Sequence, residues 1–186
     1  VIDISPEVGN WNDMGFLGFA LDPNFATNGL IYMSYIVDRN YLINFGTPGY
    51  DPSIGDNASA RQATIGRITR YQTVNNSGII TANLATRTIL LGETKSTGIP
   101  ILYDSHGVGT LVFAADGTLI ASCGDAASYS DYDQGSVPGT YYTQALADGI
   151  IRPNENVGSF RSQMLNCLNG KILRLNPANG DGMPSN

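Results

Sequence analysis

Charged residues are scarce in this chain of 186 residues, and basic residues are the rarer kind. The sequence has 10 Lys and Arg against 16 Asp and Glu, which gives a net charge of −6. A nucleic-acid surface needs clustered basic residues, so the composition argues against a nucleic-acid partner. No apolar run approaches the roughly 18 residues of a membrane-spanning helix, so no membrane span is expected.

Histidine and cysteine are also rare. The chain has 1 His, His106, and 2 Cys, Cys123 and Cys167. Two cysteines are too few to decide the redox compartment. The sequence opens at Val1 with apolar–polar alternation rather than a signal peptide, so we expect a mature or truncated chain.

Glycine and tyrosine are abundant, with 22 and 10 residues, whereas long helix-forming runs are missing. Period-two alternation between turn residues therefore predicts an all-β chain. The predicted strands cover residues 16–22, 30–37, 65–73, 87–91, 110–114, 119–122 and 171–176. The pair Asp116-Gly117, between two of these strands, is the strongest hairpin signal in the sequence.

Two long segments show no sustained period. Residues 38–63 are rich in glycine and proline and are predicted to form a surface loop. Residues 125–168 form a second, mostly irregular insertion, with short helices predicted near residues 142–151 and 157–165. The tyrosines of this insertion are expected either to cover a binding face or to pack the insertion against the strands.

Two groups of short antiparallel strands, each with one tight hairpin, are typical of β-propeller blades. We predict a single propeller fragment, with a first blade over about residues 1–104 and a second over 105–186 that contains the insertion. A blade packs against neighbours on both sides, so further strands are expected before Val1 and after Asn186. A small open β-sandwich is the alternative interpretation of the same pattern.

His106 stands just before one strand of the predicted hairpin, and Asp125 follows the other. Adjacent antiparallel strands place the start of one beside the end of the next, so these two residues should lie close together. A carboxylate there would orient the imidazole as a proton acceptor. Alternatively, His106 is a surface residue and Asp125 makes only a turn hydrogen bond.

Three segments resemble the glucose/sorbosone dehydrogenase family. They are GFLGFALDPNF with NGLIY (residues 15–25 and 28–32), SHG through LVFAADG to SCGD (residues 105–125), and LNGKILRLNP with GDG (residues 168–177 and 180–182). Their order and spacing match the family across most of residues 13–184.

The resemblance implies a six-bladed β-propeller whose active members oxidise sugars with pyrroloquinoline quinone (PQQ). In such an enzyme the residue matching His106 is the general base, and hydride passes from the anomeric carbon to the quinone. The acid matching Asp125 supports the histidine. Asp13 matches a position near the sugar, although that position is a glutamine in soluble glucose dehydrogenases of the family.

The resemblance also implies PQQ and calcium as cofactors, a sugar substrate and an electron acceptor as partners, and a secreted or periplasmic location. The main quinone contacts and the calcium site are expected beyond residue 186, so the fragment alone should be inactive. Some relatives are non-catalytic, which leaves a carbohydrate- or protein-binding module as the alternative. A propeller lactonase would need converging metal-binding carboxylates, and the sequence shows no such set.

Two weaker patterns have alternative explanations. Asp125, Asp131 and Asp133 could bind calcium, or they could be solvated turn residues. Cys123 ends one strand and Cys167 precedes its neighbour, so they could form a disulfide or remain two buried free thiols.

Overall fold

The computed structural model describes residues 2–54 and 62–184. Its strands are β1 (Phe16–Leu21), β2 (Leu30–Ile36), β3 (Thr64–Asn76), β4 (Ile79–Leu91), β5 (Ile99–Ile101), β6 (Val108–Phe113), β7 (Leu119–Cys123) and β8 (Lys171–Leu175). Its α-helices are α1 (Phe25–Asn28), α2 (Arg39–Asn44) and α3 (Tyr142–Ala147), and 3-10 helices cover Ser5–Glu7, Pro153–Glu155 and Gly158–Gln163. None of the described helices has the length and apolar character needed to cross a membrane.

The first sheet is antiparallel and contains β1, β2, β3 and β4 in chain order, with β5 paired to the start of β3. Its most buried strand is β2, because both of its faces are covered. Met33 and Tyr35 pack in a cluster that includes Ala145 of α3, whereas Tyr32 packs toward the second sheet. The insertion therefore covers one face of the first sheet.

The hairpin of β3 and β4 is longer than the sequence predicts. Strand β4 begins at Ile79 rather than near residue 87, and the polar residues before it form a turn at Ser77-Gly78. Much of this outer part of β4 is exposed, so its residues lack the apolar–polar alternation that marks a half-buried strand. The pairing of Val74 with Thr81 belongs to this exposed part of the ladder.

The predicted loop over residues 38–63 is partly wrong, because α2 lies within it. Asp38 begins this helix by accepting a 2.7 Å hydrogen bond from the backbone N–H of Tyr41, which satisfies one of the donors exposed at a helix start. Residues 55–61 of the predicted loop lie outside the described residues. Strand β5, with only three residues, is too short to produce a periodic pattern.

The second sheet is antiparallel in the order β6, β7, β8. The predicted hairpin at Asp116-Gly117 is confirmed, and Gly117 takes the left-handed conformation that this turn requires (φ 82°). Both predicted helices of the insertion are present in shorter form: α3 ends at Ala147, and the second is the 3-10 helix Gly158–Gln163.

The two sheets pack closely where β1 and β3 meet β6. A Cβ atom on Gly18 would lie 2.6 Å from the carbonyl oxygen of Gly109, and one on Gly66 would lie 2.1 Å from Cγ1 of Val108. Only glycine, which has no Cβ atom, permits these close approaches. They place the start of β6, and with it His106, against the first sheet.

Candidate active site

His106 lies in the connection between β5 and β6, two residues before β6 begins. Its backbone adopts the left-handed conformation (φ 54°), which is uncommon for residues other than glycine. The backbone N–H of Gly124 donates to the carbonyl of Gly107 at 2.7 Å, and the N–H of Ala126 donates to the carbonyl of His106 at 3.0 Å. These bonds extend the β6–β7 pairing to the level of His106.

Asp125 lies directly across this extension from His106. Nδ1 of His106 is 3.1 Å from Oδ1 of Asp125. The same carboxylate oxygen accepts a 3.1 Å hydrogen bond from the backbone N–H of Ala127, which holds the carboxylate in place. The predicted proximity of the two residues is therefore confirmed, for the predicted reason that adjacent antiparallel strands meet at this edge.

The pair has the arrangement of an oriented base. When Nδ1–H donates to Asp125, the lone pair of the neutral imidazole is on Nε2, and that nitrogen can accept a proton. The side chains of His106 and Asp125 are 47% and 27% exposed, so a solute can reach the ring. This tautomer is assigned from the hydrogen bond to Asp125.

Aromatic side chains flank the imidazole. The ring centroid of Tyr129 lies 6.4 Å from that of His106 and 5.3 Å from that of Tyr103. The hydroxyl of Tyr103 is 3.1 Å from Oγ of Ser130, which ties the insertion to the loop before His106. Tyr129 is 64% exposed and presents an aromatic surface with a polar tip beside the candidate base.

The other tyrosines of the insertion are mainly structural. Tyr141 and Tyr142 pack against the core cluster of the first sheet. Tyr132 contacts Phe160 edge-to-face, with ring centroids 6.1 Å apart. The expectation that some insertion tyrosines pack the insertion against the strands is therefore confirmed for Tyr141 and Tyr142.

Acidic residues line the same region. The backbone N–H of Asp13 donates to the carbonyl of Asp104 at 3.4 Å, and the side chain of Asn12 donates to the carboxylate of Asp104. The negative charge of Asp104 raises the pKa of Tyr129, and Tyr103 and Asp13 add to this effect. Asp13 thus lies within electrostatic reach of Tyr129, although in the described part of the chain His106 and Asp125 are hydrogen-bonded to each other and not to the Asp13 side chain.

The acidic residues of the insertion loop are not brought together in the structure as a set of metal ligands. Among the described residues, no group of three His, Cys, Asp or Glu side chains converges as metal ligands would. Asp133 is not a solvated turn residue either, because it is only 5% exposed. Its carboxylate accepts hydrogen bonds from the backbone N–H groups of Ser128 and Gly135 at 3.0 and 2.9 Å, which folds the loop around it.

Both cysteines are buried free thiols in this structure. The thiol of Cys123 donates to the carbonyl of Leu168 at 2.8 Å, and that of Cys167 donates to Oδ1 of Asn169 at 3.4 Å. Each sulfur thus has its own acceptor in the segment before β8. The structure agrees with the second of the two sequence alternatives, free thiols rather than a disulfide.

Arg161 is a residue of this region that no sequence pattern identifies. Arg161, in the 3-10 helix Gly158–Gln163, donates to the carbonyl oxygens of Asp125 and Ala126 at 3.0 and 3.2 Å. Its burial beneath the candidate site depends on how the insertion folds back over β7, and sequence spacing does not predict that path.

Comparisons with known proteins agree with this architecture. Among solved structures, PQQ-bound aldose sugar dehydrogenase from Streptomyces coelicolor aligns with a TM-score of 0.54 and 20% identity, over 98% of this chain and 36% of that one. A putative oxidoreductase (glucose dehydrogenase) from Thermus thermophilus aligns with a TM-score of 0.54 and 20% identity, over 97% of this chain and 35% of that one. Soluble aldose sugar dehydrogenase from Escherichia coli in the apo form aligns with a TM-score of 0.51 and 18% identity, over 97% of this chain and 35% of that one.

At these identities the likeness shows the fold, and the chain spans about a third of the length of the matched structures. Its two antiparallel sheets are therefore part of a β-propeller. No curated protein sequence matches the chain significantly. A family model described as "Glucose / Sorbosone dehydrogenase" matches residues 1–186. The chain therefore belongs to the glucose/sorbosone dehydrogenase family.

Proposed function

We propose that the protein containing this chain is a sugar dehydrogenase, and that the chain supplies its catalytic base. The observation that carries the proposal is the 3.1 Å contact between Nδ1 of His106 and Oδ1 of Asp125 in a solvent-accessible position. Membership of the glucose/sorbosone dehydrogenase family supports an oxidoreductase acting on sugars. The reaction we propose is oxidation of an aldose to its lactone.

The role of His106 follows from its hydrogen bond. Oxidation at the anomeric carbon of the sugar removes the proton of its hydroxyl group and a hydride from the carbon itself. Nε2 of His106 accepts that proton, and Asp125 stabilises the resulting imidazolium through Nδ1. We propose that the exposed ring of Tyr129 stacks on the sugar, with Asp13, which is close enough to help raise the pKa of Tyr129, as a second sugar contact.

We propose PQQ as the hydride acceptor on the basis of the family and of the PQQ-bound Streptomyces coelicolor structure. The described residues do not by themselves fit this group, whose carboxylates require cationic or N–H partners. Apart from Lys95, every lysine and arginine in the described residues donates to a carboxylate or carbonyl of the fold itself. We therefore assign neither quinone nor calcium ligands in this chain.

We also propose that the rest of a propeller packs on this chain. Strand β1 exposes Phe16, Phe19 and Leu21 at 47%, 50% and 47%, beside an apolar cavity of about 680 Å³ that Ile4 and Met33 help to line. Exposed apolar patches of this kind mark interaction surfaces. A secreted or periplasmic location and an external electron acceptor complete the proposal.

The test uses the full-length protein reconstituted with PQQ and calcium. A panel of aldoses is assayed with an artificial electron-accepting dye, beside the variants His106→Gln and Asp125→Asn. We expect turnover in the wild type and a fall in kcat of about 100-fold or more in each variant, which is the range for loss of general-base catalysis. Asp131→Asn, in the same loop but exposed, is the matched control and should keep its activity.

The second candidate is a non-catalytic propeller that binds carbohydrate through its exposed aromatic surface. The observation in its favour is Tyr129, which offers a stacking platform whether or not a quinone is present. A well-folded full-length protein that binds sugars but shows neither quinone binding nor turnover would support this candidate. Sugar-dependent dye reduction that is lost in His106→Gln would exclude it.

A further inference from the structure

Arg161 is the most deeply buried charged side chain near the candidate site, with 1% of its surface exposed. Its Nη2 donates to the carbonyl oxygens of Asp125 and Ala126 at 3.0 and 3.2 Å, and its Nη1 lies 3.5 Å from the carbonyl oxygen of Glu155. The guanidinium therefore joins the later part of the insertion to its first two residues, Asp125 and Ala126.

The charge of Arg161 is balanced without a direct ion pair in the described structure. Burial lowers the pKa of its guanidinium, and the carboxylates of Asp133, Asp125 and Glu155 oppose this effect. The contacts that the guanidinium does make are with main-chain carbonyls. Removing or shortening this side chain would leave these carbonyl oxygens without their donor, so it should have a local structural consequence.

The carbonyls that Arg161 binds flank an unusual turn. Ala126 adopts the left-handed conformation (φ 51°), which is unfavourable for a residue with a Cβ atom. Nη2 of Arg161 binds the carbonyl oxygens on both sides of the Ala126 Cα atom. The turn carries the Asp125 carboxylate, and within it the backbone N–H of Ala126 donates to the carbonyl of His106 at 3.0 Å.

We propose that Arg161 is a positioning residue for the proposed base. By holding the left-handed turn at Ala126, it keeps the carboxylate of Asp125 against Nδ1 of His106. This inference rests on the proposed function for its kinetic consequence, but its structural consequence is independent of activity.

Arg161→Lys is the sharpest test, because lysine keeps the charge but lacks the planar fork of N–H donors. In the full-length protein, NMR detects the Nδ1–H proton of His106, assigned by its loss in His106→Gln. We expect the Arg161→Lys variant to lose this signal and, in the dye assay, to lose about 10- to 100-fold in kcat with KM nearly unchanged, as expected for a displaced base. Arg152→Lys, an exposed arginine of the same insertion, is the control and should match the wild type.

Folding of each variant is verified by circular dichroism and thermal melting. If Arg161→Lys does not fold, Arg161→Gln replaces it, because a neutral side chain avoids the cost of burying a charge. An unchanged Nδ1–H signal in a folded Arg161 variant overturns the proposal. Loss of that signal together with inactivity of the wild type toward every sugar would instead reject the proposed function and retain the positioning role.

Discussion

Gly124 lies so close to His106 that no side chain fits between them. A Cβ atom at Gly124 would stand 2.4 Å from the carbonyl oxygen of His106 and 3.0 Å from its Cα. Gly124→Ala must therefore displace the backbone that carries the imidazole. We expect a stability loss of about 1–3 kcal/mol from overpacking, and a fall in kcat/KM of about 10-fold or more from the misplaced base.

Gly182→Ala is the matched control for Gly124→Ala. Nothing lies within 4 Å of a Cβ atom built at Gly182, so the same substitution should leave both the melting temperature and kcat/KM unchanged there. Wild-type kinetics in Gly124→Ala would show that the close approach of Gly124 to His106 does not position the imidazole.

Glu7 is a buried carboxylate that accepts hydrogen bonds from residues of three strands, β2, β3 and β4. Its Oε1 accepts hydrogen bonds from Tyr35 and Arg67, each at 2.6 Å, and from Arg87. Glu7→Gln leaves the buried Arg67 and the partly buried Arg87 without a compensating charge, and breaking a buried ion pair typically costs about 3–5 kcal/mol. Denaturant unfolding of the full-length protein measures this loss. Exposed Glu93→Gln is the control, and an equal effect of both substitutions would contradict the prediction.

Asp116, in the β6–β7 turn, should make stability depend on pH. Hydrogen bonds from the side chain and backbone of Thr118, with Arg174 nearby, lower the pKa of Asp116 from 3.8 to about 2. Its ionised form therefore stabilises the fold above pH 3.8, and this contribution is lost as the pH falls toward about 2. The stability difference between wild type and Asp116→Asn should shrink over that interval in denaturant titrations. A difference that stays constant with pH would contradict this assignment.

The two cysteines should be chemically detectable as thiols. Burial raises the pKa of the Cys123 thiol, so alkylation of the native protein should be slow at neutral pH. After unfolding without reductant, mass spectrometry should find the alkyl group on both Cys123 and Cys167. Peptides joined by a disulfide would establish the other sequence alternative.

The histidine–aspartate pair could be predicted because its geometry is local to one hairpin. Asp116-Gly117 sets the register of β6 and β7, and that register places His106 beside Asp125. The outer part of β4 could not be predicted, because it has no comparable local signal. Its residues are held by backbone pairing at an exposed edge, where side-chain alternation carries no information.

Local patterns were enough to predict most of the strands along the chain, the β6–β7 hairpin and the proximity of His106 and Asp125, because turn chemistry and period-two alternation act between near neighbours. The role of His106 as a base came from the family resemblance and not from these patterns. The folded structure was needed to place Arg161 under Asp125, to bury Asp133 and to bring Tyr129 beside His106. Those relationships depend on how an irregular insertion folds back over two sheets. Packing and desolvation govern that path, and neither has a repeating sequence signature.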